Sequence, residues 1–449
     1  MRVLHSFRVR LNRYKLVSKR VVRAQLLADP IVNDAIRLHC RDHGLSEPGA
    51  RARVAEYIDE IVPTFNVLSY YRLGYNVARA FIGLFYRVSS GYQDQKALNA
   101  MPRDNVVLYL MNHRSNADYV VVAYVLARGV SISYAVGEWA RVWPLEYVFK
   151  SFGAYFVRRG FREPLYHTVL ERYVQLITRN GVTQGIFLEG GLSRSGELRE
   201  PKVGLLDYSL RTTLDPEFTQ DIWLVPVAVN YDRVLEDRTL IRELVNARER
   251  PGRIRQISTV LHYVSFNLLR LVTGNLKRYG RVAVNFGTPI SVRQWCAENP
   301  GVLEAPRDRR APKLRELAEE ILNRIAAVMP VTPVPLVAAA LLSFGETLVR
   351  RADLLARLDE YRNHLRTSGG NLVRDELTAD AILDRAWRML RMRRLVVREG
   401  DAYIVLPGQR QLLEYYANSV VHLLPVHRLE VTMHPALEPD DTLPRLRAR

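Results

Sequence analysis

The chain has 449 residues, of which 48% are hydrophobic and 25% charged, a balance typical of a globular protein and unlike a disordered one. Two cysteines, Cys40 and Cys296, are too few for a disulfide framework and lack a metal-binding spacing, which indicates a reducing compartment. The net charge of +18 favours phosphate-bearing partners, namely nucleic acid, anionic lipid or a phosphorylated substrate, although a biased genome composition would also produce it.

The N-terminus is basic but lacks the apolar segment of a signal peptide. No stretch reaches the roughly 18 apolar residues of a membrane span. Any membrane contact is therefore expected to be peripheral, at the cytoplasmic face of the membrane.

Residues 1–90 have the pattern of a helical region, with helices predicted from Asp29 through Ile36 and over 48–61. Residues 65–86 form an aromatic-rich amphipathic stretch. It could lie on a membrane interface, and ordinary docking on the protein core is the alternative.

Residues 91–300 alternate between strand and helix patterns, which predicts an α/β domain. A helix is predicted over 164–179, and a charged stretch at 232–255 is predicted to be a solvated, partly helical insertion. The candidate strands are 106–111, 131–136, 154–158, 185–188, 223–230 and 281–286.

Residues 301–449 are predicted to be mainly helical, with helices over 313–328 and 377–391. Two short strands, 395–398 and 402–406, flank Glu399-Gly400-Asp401 and predict a hairpin. A helix followed by a hairpin resembles a piece of a winged-helix fold, so nucleic acid is one candidate partner. No aromatic stacking motif or zinc pattern accompanies it, and nucleic-acid binding is not expected.

A candidate catalytic pair lies where the strand 106–111 runs into a polar turn and then an apolar helix. His113 and Asp118 are five residues apart, which on one continuous helix would turn them about 140° apart. They can meet if His113 lies on the turn and Asp118 in the first helical turn. The carboxylate would then hold one imidazole nitrogen and leave the other as a base. The alternative is a lone histidine at a strand end with a capping aspartate.

Two further motifs carry basic residues. A predicted strand ends in Arg158 and Arg159, whose guanidinium groups suit a phosphate, although a plain surface pair is the alternative. Lys202 follows the rigid Pro201, which fixes its direction.

The predicted strand 185–188 leads into a loop rich in glycine, serine and arginine. Its candidate ligand-binding residues are Glu189, Gly190, Gly191, Ser193 and Arg194. Glycines let backbone amides approach an anion closely, and Arg194 adds charge. The alternative is a plain strand–loop connection in which Glu189 forms a structural ion pair.

In this order along the chain, the motifs resemble the glycerol-3-phosphate acyltransferase family, specifically its large bacterial membrane-associated branch and the related mitochondrial and dihydroxyacetone-phosphate enzymes. The resemblance covers nearly the whole chain and is strongest over 105–291. The family's His-x4-Asp motif matches at 113–118. Its Gly-x-Phe-Phe-Ile-Arg-Arg block matches as Gly-Ala-Tyr-Phe-Val-Arg-Arg at 153–159, and its Phe-x-Glu-Gly-x-Arg-Ser-Arg block as Phe-Leu-Glu-Gly-Gly-Leu-Ser-Arg at 187–194. Its Pro-Lys-x-Gly block matches at 201–204, its Val-Pro-Val strand at 225–227, and the likeness includes segments 276–291 and 415–423.

The resemblance implies an α/β fold: a mixed-sheet acyltransferase core wrapped by helices over 91–300, after the helical region 1–90 and before a mainly helical C-terminal domain, 301–449. It also implies transfer of a fatty acyl group from acyl-CoA or acyl-carrier protein to the sn-1 hydroxyl of glycerol 3-phosphate, at a membrane surface. No metal or cofactor is expected beyond the thioester co-substrate. His113 would deprotonate the hydroxyl and Asp118 would orient the imidazole. With no serine or cysteine placed beside them, direct transfer is the simplest route.

One departure from the family pattern concerns the acceptor. Leu192 stands where the family usually has the first arginine of its third block, a candidate phosphate ligand. The acceptor is therefore either different, such as dihydroxyacetone phosphate or lysophosphatidate, or its phosphate is bound by Arg158, Arg159, Arg194 and Lys202. A non-catalytic lipid- or nucleic-acid-binding protein is the alternative of another class.

Overall fold

A computed structural model describes residues 18–63, 82–102, 104–126, 132–137, 150, 153–158, 160–245, 279–345 and 348–425. No helix within these ranges is long and apolar enough to cross a membrane. Most of the amphipathic stretch 65–86 lies outside the described residues, as does Arg159.

Three N-terminal helices open the described chain: α1 (Lys19–Ala28), α2 (Pro30–His43) and α3 (Glu47–Ile61). Asp29 caps α2 by accepting the backbone N–H groups of Ile31 and Val32, which explains why this predicted helix begins at the Asp-Pro pair. The apolar faces of these helices pack against the long helix Pro164–Arg179. The predicted helices over 29–36 and 48–61 are confirmed.

The core of the molecule is a mixed eight-stranded sheet. Its strands are β1 (Arg87–Tyr92), β2 (Val106–Met111), β3 (Ser133–Gly137), β4 (Tyr155–Val157), β5 (Gln184–Phe187), β6 (Ile222–Tyr231), β7 (Arg281–Phe286) and β8 (Ile290–Ser291). The order is β1-β7-β6-β2-β5-β3-β4, with β8 paired to β6. β2 to β6 are mutually parallel. β7 runs antiparallel to β6, and β1 pairs with β7 in parallel.

The predicted strands are confirmed to within two residues at each described end, and the α/β fold class with a mixed sheet is correct. The prediction of helix throughout 1–90 was wrong for 87–90, which belong to β1. This strand was missed because its sequence, Arg-Val-Ser-Ser-Gly-Tyr, has no apolar alternation; its pairing with β7 makes it a strand. β8 is only two residues long and was also missed.

Helices cover both faces of the sheet. They are α4 (Gln95–Ala100), α5 (Asp118–Leu126), α6 (Pro164–Arg179), α7 (Gly204–Leu210), α8 (Asp237–Val245), α9 (Val292–Glu298) and α10 (Arg307–Ala327). Alternate side chains of β2 point to opposite faces: Leu108 and Leu110 pack with α7, α9 and α10, whereas Tyr109 and Met111 belong to the core on the other face.

The C-terminal part forms the cover of that second face. It contains α11 (Pro333–Leu342), α12 (Arg351–Thr367), α13 (Ala379–Met392) and α14 (Arg410–Ala417), with short strands β9 (Pro330–Val331), β10 (Leu348–Arg350), β11 (Asn371–Leu372), β12 (Val396–Glu399) and β13 (Ala402–Val405). The predicted hairpin is confirmed as β12 and β13, with β10 added as a third strand. Because one hydrophobic cluster joins these helices to the sheet, the domain boundaries at 90 and 300 stay predictions.

Candidate active site

The candidate site lies at the end of β2, where the strand gives way to a turn and then to α5. Asn112 fixes this transition, because its side-chain amide bonds both backbone groups of Val229 on β6: Nδ2 donates to the carbonyl over 3.0 Å, and Oδ1 accepts the N–H over 2.7 Å. The strand, turn and helix start predicted from the sequence are confirmed.

His113 and Asp118 meet across this turn. Nδ1 of His113 lies 3.0 Å from Oδ2 of Asp118, and the side chains are 1% and 0% exposed. The same oxygen accepts the backbone N–H groups of Arg114 at 2.7 Å and Ser115 at 3.0 Å. The carboxylate is thus fixed by three donors at the first residue of α5, as the spacing required.

The orientation of the imidazole follows from these contacts. Since Nδ1 bonds the carboxylate, Nε2 is the nitrogen that would take a proton from a substrate. The ring stacks on Phe187, with centroids 4.0 Å apart, and meets the edge of Tyr119 at 5.6 Å. These two aromatic side chains limit rotation of the ring.

Tyr231, the last residue of β6, contacts the aspartate of the His113–Asp118 pair. It was not predicted as a site residue. Its hydroxyl donates to Oδ1 of Asp118, the oxygen that His113 does not use. Burial, and then the nearby Asp118, raise the pKa of Tyr231 well above 10, so it stays a hydrogen-bond donor. The sequence carried one signal, since Tyr231 ends the strand that contains Val-Pro-Val, but its partner lies 113 residues earlier.

Glu236 was also missed, and it lies close to the same turn. Its Oε2 accepts the hydroxyl of Ser115 at 2.7 Å. Removal of the carboxyl from water raises the pKa of Glu236 to about 7, and the charge of Asp118 adds to this.

Glu189 holds the histidine from the neighbouring strand, β5. Its Oε1 accepts the backbone N–H of His113 at 2.8 Å, and its Oε2 accepts that of Arg199 at 3.2 Å. The carbonyl of His113 in turn accepts the N–H of Ser193 at 2.9 Å. Burial raises the pKa of Glu189 to about 7. Among the described residues Glu189 forms no ion pair, and its carboxylate positions the turn through these two backbone N–H groups; its ligand-binding role stays a prediction.

The glycine-rich loop folds on itself beside this turn. Gly190 has φ +63°, a conformation that favours glycine, and a Cβ there would lie 2.8 Å from Cγ of Lys202. Ser193 donates its hydroxyl to the carbonyl of Glu197 at 2.6 Å and accepts the N–H of Gly196 at 3.1 Å. Gly191 is buried.

The basic residues predicted for phosphate binding have different surroundings. Lys202 is exposed and, among the described residues, forms no ion pair, whereas exposed Arg194 pairs with Glu243 at 3.0 Å. The guanidinium group of Arg158 is already bound to a carboxylate. Its Nε and Nη2 donate to the two oxygens of Glu60 on α3, at 2.8 and 2.6 Å. Leu192 is half-buried against the core.

The C-terminal helix α14 braces the same loop. Buried Arg114 donates to the carbonyls of Gly196 and, at 3.4 Å, Tyr415, and it lies over the Tyr415 ring at 4.7 Å. Asn418 donates to the carbonyl of Ser195 at 2.9 Å. Gly196 has φ +90°, and a Cβ there would collide with the Tyr415 carbonyl. The site therefore combines segments that are up to 301 residues apart along the chain.

Within the described residues, no group of three histidine, cysteine, aspartate or glutamate side chains could hold a metal ion. A buried His–Asp pair at the carboxyl end of the central strand of a mixed sheet, beside a glycine-rich loop, defines a site of acyltransferase type. Two family models agree with this: "Acyltransferase" matches residues 94–230, and "Glycerol-3-phosphate acyltransferase C-terminal region" matches residues 265–427.

Relatives agree over most of the chain. The glycerol-3-phosphate acyltransferase of Aeromonas hydrophila is 30% identical over 91% of this chain and 50% of its own length. That of Pseudoalteromonas translucida is 26% identical over 94% of this chain and 52% of its own length. The chain belongs to the glycerol-3-phosphate acyltransferase family, and it spans about half the length of these curated relatives.

One solved structure is also similar, the 1-acyl-sn-glycerophosphate (LPA) acyltransferase from Thermotoga maritima. It shares 16% identity over 68% of this chain and 92% of that one, with a TM-score of 0.33. This score is too low to establish a shared fold.

Proposed function

We propose that the chain moves a fatty acyl group from an acyl thioester, acyl-CoA or acyl-carrier protein, to the sn-1 hydroxyl of glycerol 3-phosphate, the first step of phospholipid synthesis. The observation that carries this proposal is the His113–Asp118 contact of 3.0 Å, in which the carboxylate holds Nδ1 and leaves Nε2 as the base. The names of the matching family model and relatives support glycerol 3-phosphate as the acceptor, whereas the thioester donor is part of the proposal.

The chemistry is a direct transfer. Nε2 of His113 takes the proton of the acceptor hydroxyl while the oxygen attacks the thioester carbonyl. The tetrahedral intermediate collapses by breaking the carbon–sulfur bond, and the imidazolium returns its proton to the leaving thiolate. The products are an ester and a free thiol. Asp118 stabilises the imidazolium, and Tyr231 keeps the carboxylate oriented.

The phosphate of the acceptor would be bound by the exposed cations beside the glycine-rich loop. Lys202 is the first candidate, because it is exposed beside Gly190 and, in the described part of the chain, no carboxylate pairs with it. Arg194 is the second, and it would exchange Glu243 for the phosphate. Arg158 is the weakest, since its guanidinium already binds Glu60 at two oxygens.

We also propose that the protein acts at the cytoplasmic face of a membrane as a peripheral protein. The net charge of +18 supports this, because basic groups are attracted to anionic lipid surfaces. Salt screens such attraction. Membrane-pelleted protein should therefore be released by high salt, and release by detergent alone would contradict an electrostatic attachment.

Leu192 gives a reason to test other acceptors, because the missing guanidinium removes one phosphate ligand of the family pattern. Dihydroxyacetone phosphate and lysophosphatidate are the alternatives. Dihydroxyacetone phosphate has a ketone where glycerol 3-phosphate has its secondary hydroxyl, and lysophosphatidate already carries one acyl chain.

The test is a matrix of acyl-transfer assays with purified protein. Acyl-CoA and acyl-carrier protein of matched chain length are each paired with glycerol 3-phosphate, dihydroxyacetone phosphate and lysophosphatidate. His113→Ala should abolish transfer in a folded protein, whereas His43→Ala, on the exposed surface of α2, should leave it unchanged. Most activity surviving in folded His113→Ala protein would refute the mechanism, and inactivity of the wild type with every pair would favour a binding protein.

A further inference from the structure

A cleft of about 550 Å³ lies away from the His113 turn, between the starts of β1 and β7 and one side of α13. Its volume is within the roughly 300–1,000 Å³ typical of ligand pockets. The described residues that line it are Arg87, Asp232, Gly280, Arg281, Pro333, Arg385, Arg388, Met389, Arg391 and Met392. Half of them are arginines, and one is acidic.

The strand register explains how two of these arginines come together. β1 and β7 are parallel, and Arg87 and Arg281, their first residues, lie opposite each other. The other three come from α13, whose buried face carries Ile382, Leu383 and Ala386. The arginines of α13 occur every third residue, so they follow one side of the helix that faces the strand starts.

These arginines lack direct ion-pair partners in the described part of the chain. None of the five takes part in an ion pair there, and Arg281 donates from Nη1 to the hydroxyl of Ser89 at 3.3 Å. Asp232 lines the cleft, but its carboxylate is occupied by backbone groups: it accepts the N–H of Arg281 at 2.8 Å and that of Val334 at 3.1 Å.

The surroundings of Arg281 are predominantly positive. Its pKa lies below the ordinary value, chiefly because of burial and then because of Arg374, which lies outside the cleft lining; Arg385 and Arg87 of the cleft add to this, and Asp232 opposes it. Cations held this close in a partly buried cleft are stabilised by an anion that bonds several of them. Guanidinium groups match phosphate oxygens in geometry, and they do so in pairs.

We propose that this cleft binds a phosphate-bearing anion. Arg87, Arg281 and Arg385 would contact the phosphate oxygens, and Met389 and Met392 would contact an apolar part of the ligand. The chemistry is shared by a free pyrophosphate group and by an anionic phospholipid headgroup. This site goes beyond the proposed acyl transfer, whose base and acceptor cations lie elsewhere.

The cleft is nevertheless connected to the candidate active site through one strand. Tyr231 bonds Asp118, and the next residue, Asp232, lines the cleft. Because successive side chains of an extended chain point to opposite sides, the two residues serve different sites from adjacent positions.

The test compares three full-length proteins: the wild type, Arg385→Gln/Arg388→Gln in the cleft, and Arg309→Gln/Arg315→Gln on the exposed face of α10 as a control with the same charge change. Calorimetric titration with inorganic pyrophosphate probes the free anion. Sedimentation with vesicles of phosphatidylglycerol, against phosphatidylcholine, probes the headgroup. A second cleft pair, Arg87→Gln/Arg388→Gln, affects only exposed side chains, includes one of the proposed phosphate contacts, and replaces the first if that protein does not fold.

The cleft variant should lose at least tenfold in affinity for one probe, while the control keeps wild-type affinity. Loss with pyrophosphate identifies a free phosphate ligand, and loss confined to phosphatidylglycerol vesicles identifies a lipid headgroup. If cleft and control variants bind both probes equally, or if the folded wild type binds neither, the proposal is wrong.

Discussion

Replacing Asp118 by Asn tests the central contact of the site with little change in shape. In the wild type, Oδ2 accepts three N–H donors, from His113, Arg114 and Ser115, and Oδ1 accepts the hydroxyl of Tyr231. The asparagine oxygen can keep the three donors, and its amide group can donate to Tyr231. The geometry of the turn should therefore survive, and the variant should lose the negative charge.

The size of the effect follows from that charge. A hydrogen bond to a charged group contributes about 1.5–3 kcal/mol, and this would be lost when the imidazolium forms. At 1.36 kcal/mol per tenfold change in rate, kcat should fall about 10- to 150-fold. If the amide introduced at position 118 instead turns its NH₂ toward His113, it donates to Nδ1, and the proton of the imidazole moves to Nε2, which can then no longer act as the base. The loss in kcat then approaches the roughly 10⁴-fold seen for the same change in a serine-protease triad.

The measurement is kcat with donor and acceptor both saturating, together with the unfolding midpoint of each protein. Tyr231→Phe is the matched comparison, because it removes the bond to Oδ1 but keeps the carboxylate; it should cost less than Asp118→Asn. A folded Asp118→Asn protein with kcat within about threefold of the wild type would mean that Asp118 only holds the start of α5.

Four further substitutions distinguish the roles of neighbouring groups. Arg158→Ala should lower the free energy of unfolding by about 3 kcal/mol, since it removes both hydrogen bonds from the guanidinium to buried Glu60, with little change in the acceptor KM; denaturant titration and kinetics would show the opposite if Arg158 binds the phosphate. Lys202→Ala, and less strongly Arg194→Ala, should raise the KM for glycerol 3-phosphate about tenfold without changing that of the donor, and unchanged acceptor kinetics in both would place the phosphate elsewhere. Glu189 has a pKa raised to about 7, so it retains its proton in the folded state over a range in which the unfolded state has released it; its contribution to stability is therefore greatest below about pH 4.5 and falls as the pH rises to 7. The stability advantage of the wild type over Glu189→Gln should shrink by up to about 3 kcal/mol between pH 4.5 and 8, and an advantage that grows with pH would contradict the raised pKa.

The parts of the fold set by local pattern were predictable. β2 is an apolar run bounded by polar turns, and α2 begins at an Asp-Pro pair that supplies both a cap and a fixed backbone angle. The hairpin of β12 and β13 follows from Glu-Gly-Asp between two apolar strands, and Gly400 has the positive φ that this turn requires.

The parts set by long-range pairing were not predictable. β1 is a strand because β7 lies beside it, some 190 residues later. The sequence indicated a phosphate or plain solvent exposure for Arg158, but the position of α3 makes Glu60 its partner. In the same way, the His113–Asp118 pair was accessible from spacing, whereas Tyr231, Glu236 and Arg114 required knowledge of which strand and helix lie next to the turn.

The contact between the active-site loop and α14 has a consequence for the order in which the protein becomes active during synthesis. Arg114 and Tyr415 are 301 residues apart along the chain, and Asn418 and Ser195 are 223 apart. Contacts of such high sequence separation form late, because a long chain must close before they form. His113 and Asp118 are synthesised early, but the contacts between the loop beside them and α14 can form only after α14 has left the ribosome. A nascent chain halted before residue 410 should therefore contain His113 and Asp118 and yet show no acyl transfer. Catalytic activity should appear as one of the last events of folding.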